Sequence, residues 1–153
     1  MLSFSIVETE VRYFMNKLLK EELFDFFDVR EVDIITFARF EIDGFIPAEA
    51  SEGGKPPARY CSWGELRPYV FEIIKGKRPR ALKIVLSLPV EQAVLLHSNM
   101  SACFLNFMFD GIRVLCTASV SEKAFALDKA AGEVWHEYAL KFFKENNIVV
   151  RRD

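Results

Sequence analysis

Side chains able to do chemistry are few and scattered in this chain. Only two histidines occur, His97 and His136. His136 has Glu133 and Glu137 within one helical turn, a spacing that suits an acid/base dyad or a weak metal site. A solvated helix face explains the same spacing without any chemistry. His97 has no ligand type at a metal-binding interval. The three cysteines, Cys61, Cys103 and Cys116, are odd in number and irregularly spaced, which argues against a disulfide framework or a zinc site. Asp33, Glu41 and Asp43 alternate with Arg39, a pattern of cross-strand ion pairing. The chain carries no G-x-S-x-G, H-E-x-x-H, C-x-x-C or Walker spacing, and no glycine-rich nucleotide fingerprint. No catalytic residue, metal ligand or cofactor site is assigned from the sequence.

The cations are more telling. Residues 1–61 hold 7 Lys/Arg against 12 Asp/Glu, a net of −5, whereas residues 62–88 hold 6 against 2, a net of +4. Residues 89–153 return to −1, from 7 against 8. An anion is therefore drawn to the middle of an otherwise acidic chain. Lys75, Lys77, Arg78 and Arg80 crowd one turn there. With Arg67, Lys83 and Arg113 they form the candidate binding set. Arg67 and Trp63 also have a structural reading, in which the pair locks the basic turn to its helix.

The elements that must position these cations lie in Ser62 to Leu88. Ser62 and Glu65 fit a capping box, and Leu66, Tyr69, Val70, Ile73 and Ile74 recur at helical spacing. Pro68 removes a helical hydrogen bond, so the sequence predicts a helix from Pro68 with Trp63 to Arg67 as a separate turn. Gly76 is a left-handed stop. Leu82, Ile84, Leu86 and Leu88 then alternate with Ala81, Lys83, Val85 and Ser87, as in a strand with one dry face.

The flanking segments are also legible. Leu2 to Ile6 reads as a short strand. A helix follows from about Glu8, with Val11, Phe14, Met15, Leu18 and Leu19 as its stripe. Residues 29–46 read as extended, with a break near Thr36 and a turn at Asp43-Gly44. Residues 47–60, rich in Gly and Pro, read as a mobile loop. Pro89 to Ser98 suggests a short helix. Asp110-Gly111 between apolar runs signals a hairpin. A two-residue turn there pairs Phe109 with Ile112 and Leu105 with Cys116, and makes Cys103 and Cys116 diagonal neighbours on a buried face. Ser121 to Leu127 suggests a further strand with Phe125 and Leu127 inward. Asp128 caps a last helix with a Glu137–Lys141 pair, Asn146-Asn147 ends it, and Arg151-Arg152 read as an exposed tail.

With 153 residues, 51% hydrophobic and 27% charged, the chain reads as one globular domain over 1–153. No apolar run reaches the roughly 18 residues that span a bilayer. The start lacks the features of a signal peptide. Together these point to the cytoplasm and to no membrane partner. The expected fold is α+β: an antiparallel sheet of about four to five strands with the N- and C-terminal helices on one face.

Several fragments carry a resemblance. They are F-M-N-K-L-L (Phe14 to Leu19), F-x-I-D-G (Phe40 to Gly44), and S-W-x-E-L-R-P-x-x-F-E-I-I-K-G-K-R (Ser62 to Arg78). K-I-V-L-x-L (Lys83 to Leu88) and F-x-L-D-K (Phe125 to Lys129) complete the set. The chain resembles an uncharacterised family of small proteins from anaerobic Gram-positive bacteria, classed as a domain of unknown function. The resemblance implies a bacterial, cytoplasmic origin and supplies no activity, cofactor or catalytic residue. The Gly/Pro loop looks like the family's variable insertion.

The functional expectation is a non-catalytic binding or assembly protein using the 75–80 turn and the mixed sheet face. That face carries Arg39, Lys83, Asn106, Arg113 and Thr117, with Phe37, Phe104, Met108 and Leu115 among them. A single-stranded nucleic acid or other polyanion is one alternative partner, although the overall acidity counts against it. A second copy of the chain is another. An enzyme with a site near the 47–60 loop is the alternative from a different class.

Overall fold

A computed structural model describes residues 1–47 and 59–152. The elements run β1 (Leu2–Ile6), a 3-10 turn (Glu8–Glu10), α1 (Val11–Lys20), β2 (Asp28–Ile35), β3 (Arg39–Asp43), α2 (Trp63–Ile74) and β4 (Ala81–Ser87). They continue with α3 (Val90–Leu96), β5 (Met100–Phe109), β6 (Val114–Glu122), α4 (Ala130–Glu145) and β7 (Val150–Arg152). The strands form one seven-stranded sheet in the order β3-β2-β4-β5-β6-β1-β7. Every neighbouring pair is antiparallel. The α+β class matches the sequence reading, but four to five strands is too few.

Two differences account for the count. The extended run 29–46 is a hairpin whose break falls at Thr36, where the Thr36 N–H donates to the Ala38 carbonyl (2.9 Å). The supposed tail at Arg151-Arg152 is the edge strand β7, paired with β1. Leu2 to Ile6 is a strand, as read, but Ser121 to Leu127 is not a separate one. β6 ends at Glu122, and Phe125 and Leu127 are exposed rather than inward.

Alternation gives the sheet one dry face. Phe4, Val32, Ile34, Ile84, Leu86, Cys103, Leu105, Cys116 and Ala118 are fully buried on it. All four helices join that face in one apolar cluster, through Phe14 and Leu18 of α1, Trp63 and Val70 of α2, Ala93 of α3, and Trp135 and Phe143 of α4. Much of the phenylalanine is used here. The rings of Phe14 and Phe24 stand 5.2 and 5.5 Å from Phe107, and Phe4 meets Phe143 edge-on at 5.1 Å. Edge-to-face packing of this kind adds to area burial.

The hairpin register differs from the sequence reading. Phe109 pairs with Val114, Phe107 with Cys116 and Leu105 with Ala118. The loop thus spans Asp110 to Arg113, because the Asp110 Oδ1 accepts the N–H groups of Ile112 (2.9 Å) and Arg113 (2.7 Å). A two-residue slip keeps every side chain on its face, so the dry face survives, but Ile112 falls into solvent. It also separates Cys103 from Cys116, since Cys103 faces Val120. Both thiols are free and buried. Burial pushes Cys103 up to about 12 and Cys116 well above its ordinary value.

α2 is continuous through Pro68, contrary to expectation. Its start is over-determined. The capping box is complete, with Glu65 N–H on Ser62 Oγ (3.2 Å) and Ser62 N–H on Glu65 Oε1 (3.1 Å). Trp63 N–H donates to the Phe27 carbonyl (2.8 Å) and Gly64 N–H to the Asp25 carbonyl (3.2 Å). With its first N–H groups satisfied, the helix tolerates one missing bond at Pro68. Gly76 ends the turn at φ 71°, as read. In α4, the Ala130 N–H reaches Asp128 Oδ1 at 3.3 Å, and the ion pair is Lys141–Glu145 (3.8 Å) rather than Glu137–Lys141.

Trp63 also spans the helix layer. Its Nε1–H donates to the Leu18 carbonyl at 2.8 Å while the ring is fully buried. Trp63→Phe keeps most of the apolar contact and strands that carbonyl. The expected loss is about 1–3 kcal/mol, read from the urea unfolding midpoint.

Candidate functional site

Among the described residues, the opposite face of the sheet stays outside the apolar cluster. Across it, Asp33, Lys83, Met108, Leu115, Ser5 and Arg151 occupy one row on six consecutive strands. At about 4.8 Å per strand the row is about 24 Å long. A trough of about 720 Å³ follows it, lined also by Glu8, Ile35, Ala81, Asp110 and Arg113. Its middle is apolar and open. Met108 is 48% exposed and Leu115 38%, whereas Phe107 and Val114, on the dry face, are 3% and 1%.

Charges on the β2–β3–β4 side are internally paired. Arg39 forks onto Asp33 (3.1 and 2.7 Å) and touches Glu41 (3.1 Å). Lys83 meets Glu31 at 3.3 Å. The hydrogen bonds from Arg39 hold the Asp33 carboxyl below its ordinary value. On the β5–β6 turn and on β7, among the described residues, Arg113 and Arg151 form no ion pair.

The candidate binding residues divide into three groups. Lys83 and Arg113 line the trough. Lys75, Lys77, Arg78 and Arg80 lie beside the loops at that end of the sheet but do not line it. Lys77 Nζ stands 3.7 Å from the Phe37 ring centroid, Arg78 donates to the Gly111 carbonyl (2.7 Å), and the Arg80 N–H donates to the Ile35 carbonyl (2.7 Å). Arg67 is elsewhere. It forks onto Asp25 (2.8 and 2.9 Å) and reaches the Lys20 carbonyl (3.3 Å), tying α2 to the end of α1. The locking role of Arg67 and Trp63 is thus realised on α1 and its exit segment rather than on the basic turn.

Sequence reasoning missed Glu8, Asp110 and Arg151 as trough residues. Arg151 was legible in principle. After the Asn146-Asn147 stop, Ile148, Val149 and Val150 form a β-branched run that signals a strand. The trough itself is a product of strand order, and no local signal encodes it.

The other chemistry-bearing groups have structural surroundings. His136 is half-buried beside the Ala118 backbone, and burial lowers its pKa. Among the described residues it shares no hydrogen bond with Glu133 or Glu137. His97 Nδ1 accepts the Asn99 N–H (3.1 Å). No group of three or more His, Cys, Asp or Glu side chains among the described residues is arranged to hold a metal ion. Most of the 47–60 loop, residues 48–58, lies outside the described residues. Its arms are paired, Phe45 with Tyr60. Arg30 grips the returning arm with its guanidinium 4.0 Å from the Tyr60 ring and Nη1 on Tyr60 OH (3.0 Å). Gly44 is required in the other arm, because a Cβ there would overlap the Val29 carbonyl.

The sequence model of a Family of unknown function (DUF5721) matches residues 17–151. The chain belongs to that family. No curated protein and no solved structure matches it. Family membership names no activity, so function has to be argued from the surface. Among the described residues, no helix is long and apolar enough to cross a membrane.

One pH effect follows from the loop that rims the trough. The N–H groups of Arg113 and Ile112 hold the Asp110 carboxyl below its ordinary 3.8. A carboxyl with a depressed folded pKa stabilises the fold above 3.8 and loses that contribution as pH falls through its lower folded value. Asp110→Ala is therefore expected to be less stable than wild type at neutral pH. The gap should narrow below pH 3.8 in denaturation midpoints measured across the acid range.

Proposed function

We propose that this is a non-catalytic binding or assembly protein of the bacterial cytoplasm, whose working surface is the open sheet face with its cationic end. One observation carries the reading: Ile35, Met108 and Leu115 stand exposed in a trough, on the one sheet face that the helices do not share. Contiguous exposed apolar surface rimmed by charge marks an interaction site, and about 720 Å³ lies within the roughly 300–1,000 Å³ usual for ligand pockets. The basic turn borders this surface and adds positive potential at its end.

Nucleic acid is the second reading, favoured by Lys77 on the exposed Phe37 ring beside the exposed Lys75 and Arg80. Aromatic and cationic groups together suit unpaired bases and phosphates. In its disfavour, Arg78 already donates to the Gly111 carbonyl.

Fluorescence of N-phenyl-1-naphthylamine, a neutral apolar dye, separates the readings. It should rise with wild type and be lost with Met108→Glu, whose stability should fall by no more than about 1 kcal/mol because the side chain is half exposed. In parallel, anisotropy of a labelled single-stranded oligonucleotide should show no strong binding. Undiminished dye binding by Met108→Glu would overturn the proposal. So would salt-sensitive oligonucleotide binding abolished by Ala at Lys75, Lys77, Arg78 and Arg80, which would move function to the basic turn.

A further inference from the structure

We propose that the trough receives an amphipathic monoanion: an acidic head group between Arg113 and Arg151, and an apolar body along Leu115, Met108 and Ile35. This deepens the reading of the open face as the working surface and rests on it.

The charge layout selects the head group. On the β2–β3–β4 side Lys83 and Arg39 are paired with Asp33, Glu31 and Glu41, which leaves that side without a free cation among these residues. Arg113, on the β5–β6 turn, and Arg151, on β7, line the same trough without an ion pair among the described residues. Asp110 shares their rim as a carboxylate, its Oδ1 accepting the N–H groups of Ile112 and Arg113. Glu8 is the remaining acid there, and it too has no ion pair among the described residues. Two arginines opposed by the Glu8 and Asp110 carboxylates leave no positive surplus for a multiply charged ligand, so one negative charge suits them better than several. A carboxylate or sulfonate, which a guanidinium fork binds through paired hydrogen bonds, is favoured over a phosphate chain.

The register fixes the apolar part. Leu115 is paired with Ser5, and Ser5 with Arg151, so Arg151 lies about 10 Å from Leu115 across two strand spacings. Arg113 is two residues from Leu115 along the chain, about 7 Å. Both cations thus flank the Leu115 end of the floor. Beyond it, Met108 continues the apolar surface as far as Lys83, and Ile35 and Ala81 extend it in the next row. A ligand laid along the row meets cation first, then apolar floor.

Two dyes with one ring system test this: 8-anilinonaphthalene-1-sulfonate, which carries a negative charge, and neutral N-phenyl-1-naphthylamine. Fluorescence titrations use the whole folded protein, with circular dichroism confirming that each variant keeps its fold. The sulfonate should bind tighter than the neutral dye. Arg113→Ala with Arg151→Ala should weaken the sulfonate by about tenfold or more and leave the neutral dye unchanged. Glu8→Gln should tighten the sulfonate alone. Equal affinity for the two dyes, or a sulfonate indifferent to the arginines, would overturn the monoanion assignment while neutral-dye binding left the open-face reading standing. If neither dye binds the folded protein, both readings fall together.

Discussion

A sheet has two faces, and the apolar residues of these four helices reach only one of them. Everything else in the structure follows from that limit. Alternation along β1, β2, β4, β5 and β6 sends Phe4, Ile34, Ile84, Phe107 and Cys116 to the helix side. The same alternation places Ser5, Asp33, Lys83, Met108 and Leu115 in the opposing row. A wide antiparallel sheet can leave one face to water, but water-facing positions are normally polar. Here the centre of the row is Met and Leu, so the open face carries apolar surface outside the core cluster of the described residues.

The dry face is held by a knot at the entry to α2. Asp25 accepts the Arg67 fork with its carboxylate and the Gly64 N–H with its carbonyl. Trp63 meets the Leu18 carbonyl a turn away. Together they fix α2 against α1, and α2 leads through Gly76 into the basic turn and β4. The position of Lys77, Arg78 and Lys83 at one end of the sheet thus depends on contacts on its other side. The guanidinium of Arg67 is a fastener in this account, although in sequence it sits among the cations of the central stretch.

How much of this was legible depends on the range of the signal. The capping box at Ser62 and Glu65, the stop at Gly76 and the alternation of β4 are local, and each is found as read. Asp-Gly suggests a tight turn, whereas the Asp110 carboxylate organises a loop two residues longer. The faces still came out correctly, since a slip of two preserves parity. Pro68 reads as a helix start because it lacks an N–H, and that local signal takes no account of distant partners. The carbonyls of Asp25 and Phe27, remote in sequence, satisfy the first turn and decide the matter. The trough was beyond sequence reasoning. It needs β7 beside β1 and β4 beside β5, and strand order is not written in any one segment.

The central claim is that the centre of the open face meets solvent. The four methionines give a direct test by methyl-labelled NMR with a soluble paramagnetic agent. The Met108 methyl should be strongly attenuated, close to that of the exposed Met1, while Met100, which is fully buried, keeps its intensity. A Met108 signal as protected as that of Met100 would show the face to be covered, and would contradict the account.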